Sequence, residues 1–158
     1  MLYLDSSALI KRYIQEGGSQ ELAARLRQAA EAGEAVAVSL LSFAEIHAVL
    51  ARKVRERTLT SHRYRWVIGQ FESDWRTNLT PIELSPLVLE LIPDLVKKHP
   101  LKTSDAIQLA SALWVAKAGQ PEKARQTFDR LIVFATADRQ LASAAKSERL
   151  ELFNPEVR

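Results

Sequence analysis

Four carboxylates stand where buried segments and helices of this sequence meet, and their positions point to metal chemistry. Asp5 and Asp138 follow apolar runs that are typical of buried strands, whereas Glu45 and Asp105 lie near the starts of helical patterns. Carboxylates that share a small space resist joint ionisation unless a cation lies among them. Mg²⁺ and Mn²⁺ prefer oxygen ligands of this kind. If the fold brings the four acids together, we expect them to form one site for Mg²⁺ (or Mn²⁺).

The elements that would position these acids alternate between strands and helices. Short apolar runs predict strands at 2–4, 35–38, 79–84, 131–135 and 150–153, and Pro81 makes the third an edge strand. Most of the chain between them has helical spacing, including a short helix within Gly119–Arg130. This alternation favours an α/β fold with a parallel sheet. In such a sheet the carboxyl ends of the strands share one edge, where ligands bind.

Three of the predicted helices carry features that bear on packing. A helix at about 61–76 has Trp66 at an apolar position, and we expect Trp66 in the core and Asp74 in solvent. The next helix contains Pro93, which would kink or end it. The helix that begins near Thr103 is apolar over much of its circumference, so we expect it to be central.

Length and composition predict one soluble domain. A chain of 158 residues with 47% hydrophobic residues suits a single core, which we place at 1–153 with a tail, 154–158, that frays. The lack of cysteine excludes disulfides, thiolate zinc sites and cysteine nucleophiles. The net charge of +3 permits a polyanionic partner. Because no apolar run approaches the roughly 18 residues of a membrane span, we expect no membrane association and a cytoplasmic location.

Each of the four acids also has a simpler structural explanation. Asp5 and Asp138 can cap the helices that follow them. Ser42 and Glu45 match a capping box. Asp105 lies in a first helical turn, where the helix dipole favours a carboxylate. Any one acid taken alone favours such a role, and the gathering of all four is what favours a metal site.

Four short motifs contain these acids. They are Leu4-Asp5-Ser6-Ser7-Ala8-Leu9-Ile10-Lys11-Arg12-Tyr13, Ser42-Phe43-Ala44-Glu45-Ile46, Ser104-Asp105-Ala106-Ile107-Gln108-Leu109-Ala110 and Thr136-Ala137-Asp138. In their order and spacing they resemble the motifs of PIN-domain proteins of the VapC toxin type, over essentially the whole chain. The resemblance implies a three-layer α/β/α sandwich with a central, mainly parallel sheet of about five strands. The sequence departs from the pattern in its long segment 119–130 and in Gln140, which stands where some relatives carry another acid.

The resemblance also implies an activity and partners. It points to a metal-dependent ribonuclease that is the toxin of a type II toxin–antitoxin system. The expected partners are an RNA substrate, a small VapB-like antitoxin and a second copy of the chain in a homodimer. The chemistry agrees, because carboxylate-held Mg²⁺ lowers the pKa of a bound water and neutralises charge on a phosphodiester without a protein nucleophile.

Roles within the site can be assigned to individual residues. Asp5, Asp105 and Asp138 are the main expected ligands. Glu45 would bind metal directly or through water, or orient the attacking water. Ser6 and Thr136 could hold carboxylates in place as hydrogen-bond donors, with helix capping as the alternative. The sequence leaves open whether one or two metal ions bind.

A basic segment offers a surface for the substrate. Between 52 and 65 the one acid, Glu56, is outnumbered by six basic residues: Arg52, Lys53, Arg55, Arg57, Arg63 and Arg65. Aromatic and histidine side chains interleave with them, a combination that suits single-stranded RNA. We take Arg52, Arg55, Arg63 and Arg65 as the candidate RNA contacts. A solvated helical hairpin, or a docking face for an antitoxin or a second subunit, explains the same pattern.

Two other classes of function compete with the nuclease. A phosphatase that uses Asp5 as nucleophile would want a second aspartate two residues later, and Ser7 stands there. A non-catalytic binding module of the same fold would be indicated by the loss of a motif acid, and all four are present. Within the nuclease class, a non-toxin PIN nuclease is the alternative to a toxin.

Overall fold

A five-stranded, all-parallel sheet forms the centre of the protein. The computed structural model describes residues 1–118 and 132–157, so the helix predicted within Gly119–Arg130 lies outside the described residues. The strands, in chain order, are β1 (Leu2–Leu4), β2 (Val36–Ser39), β3 (Thr80–Ile82), β4 (Val133–Ala135) and β5 (Glu151–Phe153), and their order across the sheet is β3-β2-β1-β4-β5. The predicted parallel α/β fold is confirmed, and β3 with Pro81 is an edge strand as expected.

Strand β1 is central, and its register sets the site. Leu4 lies opposite Val38 on β2 and Ala135 on β4. Asp5 and Thr136 directly follow the paired residues Leu4 and Ala135, and β1 and β4 are parallel neighbours. They therefore come out at the same, carboxyl edge of the sheet.

The helices lie in the connections between strands. They are α1 (Ser6–Leu9), a 3-10 helix (Ile10–Arg12), α2 (Ser19–Glu31), α3 (Leu41–Arg55), α4 (Ser61–Thr77), α5 (Pro86–Leu89), α6 (Ile92–Lys98), α7 (Thr103–Ala118) and α8 (Arg139–Ser147). The helix that was expected to kink at Pro93 is two helices, with Pro93 in the first turn of α6, where proline needs no backbone N–H partner. No helix in the described part of the chain is long and apolar enough to cross a membrane.

The sheet separates two hydrophobic clusters and so produces three layers. Side chains alternate along β1, with Tyr3 facing one cluster and Leu2 and Leu4 the other. The Tyr3 cluster includes residues from α5 to α8, and the Leu2 cluster includes residues from α1 to α4. Helix α7 is buried along most of its length, as predicted for a central helix: Ala106, Leu109, Ala110, Ala112, Leu113 and Ala116 are all buried.

Two predictions about helix α4 are wrong. Trp66 was expected in the core, but α4 turns Val67 and Phe71 inward and leaves Trp66 51% exposed, with the Arg63 guanidinium 4.2 Å from its ring centroid. Asp74 was expected in solvent, but its side chain is only 14% exposed because α4 packs beside the 3-10 helix. Asp74 Oδ2 there accepts hydrogen bonds from Arg12 and Tyr13.

The carboxyl-terminal tail does not fray as expected over residues 154–157. Pro155 is buried against the turn at Gly18, which has a φ of +82°. Glu156 Oε1 lies 2.6 Å from the Nζ of Lys11. The tail is seated by a close backbone contact and an ion pair, neither of which a local sequence pattern reveals.

Candidate active site

Asp5 is a buried carboxylate held entirely by neutral donors. Its Oδ1 accepts from the backbone N of Ala8 at 2.8 Å, so it does cap α1, and Ser7 Oγ lies 2.8 Å from each carboxylate oxygen. Thr136 Oγ1 donates to Oδ2 at 2.8 Å. Burial raises the pKa of Asp5 to about 7, with a further contribution from the negative charge of Asp138 and opposition from the three donors.

The turn after β4 is bonded to the start of α1 and positions Asp138. The backbone N of Ala137 donates to Ser7 Oγ at 2.9 Å, and the backbone N of Asp138 donates to Thr136 Oγ1 at 3.0 Å. Asp138 Oδ1 caps α8 by accepting from the backbone N of Leu141 at 2.8 Å. The hydroxyls of Ser7 and Thr136 therefore join the two strand ends that carry Asp5 and Asp138.

Glu45 is held by distant side chains and does not form the capping box that its motif suggested. Helix α3 begins at Leu41, before Ser42, and the Ser39 hydroxyl accepts from the Leu41 backbone N at 3.2 Å. Glu45 Oε2 instead accepts from Ser6 Oγ at 2.5 Å and from Gln108 Nε2 at 2.9 Å. Tertiary contacts with α1 and α7 have replaced the local cap.

Asp105 lies in the first turn of α7, and among the described residues its carboxylate accepts one weak hydrogen bond, from Ser104 Oγ at 3.4 Å. Burial raises the pKa of Asp105, and the negative charges of Asp138 and Glu45 add to that rise against the opposing influence of Lys102 and Ser104. The carboxylates of Asp138 and Glu45 therefore disfavour the charged form of Asp105.

All four predicted acids line one cleft of about 440 Å³ at the carboxyl edge of the sheet. Three cationic residues and two further acids share its walls: Lys11, Arg52, Lys53, Glu16 and Glu156. Among the described residues, no group of three or more histidine, cysteine, aspartate or glutamate side chains lies at metal-holding separation. The four acids therefore surround the cleft from separate walls without converging on one point.

The positive side chains of the cleft differ in how free they are. Lys11 Nζ is bonded to Glu16, Glu156 and the carbonyl of Gly17, and its side chain is 3% exposed. Arg52 is 59% exposed, with its Nε 3.9 Å from Glu56. Arg52 is thus the more available cation. The other candidate RNA contacts, Arg55, Arg63 and Arg65, are exposed but do not line the cleft.

A larger groove of about 540 Å³ lies elsewhere, between the 3-10 helix, α2 and α4. It contains none of the four acids, and its one carboxylate, Asp74, is paired with Arg12. The acid-lined cleft is the better candidate for chemistry because it gathers titratable groups with raised pKa values.

Sequence reasoning missed several residues of the cleft. Gln108 carried a signal, since it is a polar residue in an apolar helix, one turn after Asp105. Lys11 carried a similar signal within the apolar start of the chain. Glu16 and Glu156 had none, because both are held in the wall by Lys11, which no local pattern pairs with them. Gln140, which replaces an acid of some relatives, donates to the Pro100 carbonyl and does not line the cleft.

Fold and cleft together define an α/β protein with an acid-lined site at the carboxyl edge of a parallel sheet. A family model for the PIN domain matches residues 2–147, and the chain belongs to the PIN-domain family. It is similar to Ribonuclease VapC45 of Mycobacterium tuberculosis (strain CDC 1551 / Oshkosh), with 33% identity over 119 residues, which are 75% of this chain and 79% of that protein. The resemblance to VapC-type PIN proteins is thereby confirmed.

Solved structures show the same fold. The chain is similar to VapBC2 from Rickettsia felis, crystallised with a DNA fragment from its promoter, with a TM-score of 0.67, 12% identity and 98% of each chain covered. It is also similar to FitAcB from Neisseria gonorrhoeae, with a TM-score of 0.65, 16% identity and 98% of each chain covered. The PIN-like three-layer sandwich expected from the sequence is confirmed by these likenesses.

Proposed function

We propose that the chain is a divalent-metal-dependent endoribonuclease and the toxin of a type II toxin–antitoxin system. The observation that carries the proposal is the gathering of Asp5, Glu45, Asp105 and Asp138 around one cleft in a PIN-domain chain. The name of the relative, a ribonuclease of VapC type, supports the substrate class and the reaction. A catalytically silent PIN-fold binding module and a non-toxin PIN nuclease are the alternatives.

The donor set fits a hard divalent cation. Among residues 1–118 and 132–157, six carboxylates and three cationic side chains line the cleft, so these walls carry an excess of negative charge. Burial and neighbouring carboxylates raise the pKa of Asp5 and Asp105, and a bound cation would stabilise the charged form of both acids. Oxygen ligands without thiolate favour Mg²⁺ or Mn²⁺ over zinc. Asp5, Asp105 and Asp138 would hold the ion. Asp5 is already fixed by its donors, whereas the long hydrogen bond of Asp105 leaves that side chain free to turn toward the ion.

The bound ion would supply an activated water and neutralise charge on the phosphodiester. The chain's own residues supply position. Thr136 and Ser6 hold Asp5 and Glu45 at the cleft through neutral hydrogen bonds, which leave the negative charge of each acid available. Glu45 would bind the ion directly or through water, or would orient the water.

Positive side chains would hold the RNA. Arg52 contacts a phosphate beside the cleft, and Arg55, Arg63 and Arg65 extend the path of the strand along α3 and α4. Lys11 takes no part in this contact because Glu16, Glu156 and the Gly17 carbonyl already accept its hydrogen bonds.

The partners and location follow from the same assignment. The solved neighbours are named as VapBC2 and FitAcB, and we propose a small VapB-like antitoxin for this chain as well. We also propose a homodimer and a cytoplasmic location. Expression of the chain alone should arrest growth, and co-expression of the antitoxin should restore it.

RNA cleavage tests the enzyme directly. We would incubate a mixed single-stranded RNA pool with the protein in Mg²⁺, Mn²⁺ or chelator, beside Asp5→Asn and the control Asp94→Asn. Asp94 is an exposed acid of α6 away from the cleft. We expect metal-dependent cleavage by the wild type and by Asp94→Asn, and loss of cleavage in Asp5→Asn. Cleavage that survives in chelator, or in Asp5→Asn, would contradict the proposed site.

A further inference from the structure

Gln108 is a buried amide that the proposed mechanism does not use. It lies on α7 one turn after Asp105, and it is 2% exposed. Its Oε1 accepts from the Tyr3 hydroxyl at 3.1 Å. Its Nε2 lies 3.0 Å from Ser6 Oγ, 2.9 Å from Ser42 Oγ and 2.9 Å from Glu45 Oε2. Both ends of the amide therefore have partners, and those partners come from β1, α1 and α3.

The hydrogen bonds to Glu45 are concentrated on one of its two oxygens. Both Gln108 and Ser6 donate to Oε2. Within residues 1–118 and 132–157, no hydrogen bond reaches Oε1 of Glu45. Bonds to a charged acceptor are stronger than neutral ones, so the two donors define the orientation of the carboxylate. One oxygen is fixed against the protein and the other remains for the cleft.

Tyr3 and Glu45 bond opposite ends of the Gln108 amide, and both bonds favour the same orientation. Tyr3 is fully buried on β1, and burial raises the pKa of its hydroxyl above the usual value, so it keeps its proton. The hydroxyl donates to Oε1 of Gln108, and this leaves the NH₂ group directed at Glu45. A flipped amide would place its oxygen against a carboxylate oxygen, and both can only accept hydrogen bonds.

We propose that Gln108, oriented by the hydroxyl of Tyr3, is a positioning residue that fixes Glu45 through Oε2 and so presents Oε1 alone to the metal ion or its bound water. This inference rests on the proposed metal-dependent nuclease. Gln108 does not touch substrate or metal. It acts on Glu45 through a hydrogen bond at the lining of the cleft, and it is itself bonded to Tyr3 of β1, the strand that leads to Asp5.

The test compares Gln108→Met with the wild type. Methionine is close to glutamine in length and removes both hydrogen-bonding ends. We expect kcat to fall about 10- to 100-fold and Mn²⁺ affinity to fall about tenfold, as is typical when a residue that orients a metal ligand is lost. KM for RNA should stay within about twofold, because Gln108 makes no contact with the RNA path.

Two tyrosine variants separate positioning from stability. Tyr3→Phe removes the hydroxyl that orients the amide and should lower kcat by about 3- to 10-fold, since Gln108 itself remains. Tyr13→Phe is the matched control, because Tyr13 is also a buried tyrosine whose hydroxyl donates to Asp74 at 3.0 Å, and neither residue lines the acid-lined cleft. We expect Tyr13→Phe to lower the urea midpoint by a similar amount and to leave kcat and Mn²⁺ affinity unchanged.

The outcomes distinguish this inference from the function on which it rests. If the wild type cleaves RNA and binds Mn²⁺ by calorimetry, and Gln108→Met does both equally well, the role of Gln108 is refuted while the nuclease stands. If kcat falls alike in Tyr3→Phe and Tyr13→Phe, the effect is one of stability and the inference also fails. If the wild type neither cleaves RNA nor binds Mn²⁺, both proposals fail together.

Discussion

Replacement of Gly18 by alanine should destabilise the protein more than the same replacement at Gly17 or Gly33. Gly18 has a φ of +82°, which alanine adopts only with strain. A Cβ added there would lie 2.7 Å from the carbonyl oxygen of Pro155 and 2.8 Å from its carbonyl carbon. Those are backbone atoms, so no side-chain rotation can relieve the contact. The carboxyl-terminal tail would have to move away from the turn.

Gly17 and Gly33 allow the effect of backbone strain to be separated from the effect of the contact with Pro155. Gly33 also has a positive φ, +64°, but nothing lies within 4 Å of its added Cβ. Gly33→Ala should therefore show the backbone strain alone, about 1–2 kcal/mol. Gly17 has open space and no positive φ, and Gly17→Ala should be neutral or stabilising by about 0.4–1 kcal/mol. Gly18→Ala adds overpacking of about 1–3 kcal/mol to the strain, for a total of about 2–5 kcal/mol.

Urea unfolding at one pH and salt concentration measures these differences through the midpoint at constant slope. In thermal melts, each kcal/mol corresponds to about 2–4 °C for a chain of this size. The diagnostic quantity is the difference between Gly18→Ala and Gly33→Ala. If Gly18→Ala proves no less stable than Gly33→Ala, then Pro155 does not pack against the turn, and the seated tail is refuted.

Two further predictions concern charge. Lys11→Met should lower stability by about 2–3 kcal/mol at pH 7, less than for a fully buried ion pair because Glu16 and Glu156 reach solvent. Burial alone lowers the pKa of Lys11, but the hydrogen bonds to Glu156 and Glu16 outweigh it and raise that pKa above 10.5. The difference in unfolding free energy between Lys11→Met and wild type should therefore persist at neutral pH and vanish only as pH rises through the raised pKa. A constant difference up to pH 12 would contradict this. For Asp5, the folded pKa of about 7 exceeds the usual 3.8, so its ionisation opposes folding as pH rises between those values. In chelator at pH 8, Asp5→Asn should be more stable than wild type by up to about 4 kcal/mol, and added Mn²⁺ should make the wild type the more stable of the two. A wild type that is more stable than Asp5→Asn in chelator would refute this prediction.

The sheet and its edge could be predicted because local patterns and parallel pairing determine them together. The apolar run before Asp5 and the one before Thr136 each predict a buried strand. Once both strands are parallel neighbours, their carboxyl ends must meet, as the pairing of Leu4 with Ala135 shows. The expectation that acids would collect there needed no side-chain detail.

The hydrogen bonds inside the site could not be predicted, because they join residues far apart in the chain. Glu45 and Ser42 match a local capping box, yet the bonds that hold Glu45 come from Ser6 and from Gln108, 63 residues away. Gln108 itself is oriented by Tyr3, 105 residues earlier. A local motif states which bonds are possible, and the packing of α3 against α1 and α7 decides which of them form.

The choice of donors around the acids explains why capping and metal binding do not compete in this site. Asp5 and Asp138 do cap helices, but the groups that bond them are backbone amides and hydroxyls, which fix orientation without cancelling charge. In the described part of the chain, no ion pair involves any of the four acids. Lys11, a cation in the same cleft, is instead occupied by Glu16 and Glu156. Burial, with a smaller contribution from the charge of Asp138, raises the pKa of Asp5. The protein pairs none of the four acids with a cation in its described part, so a divalent cation is the natural counter-charge for the cleft.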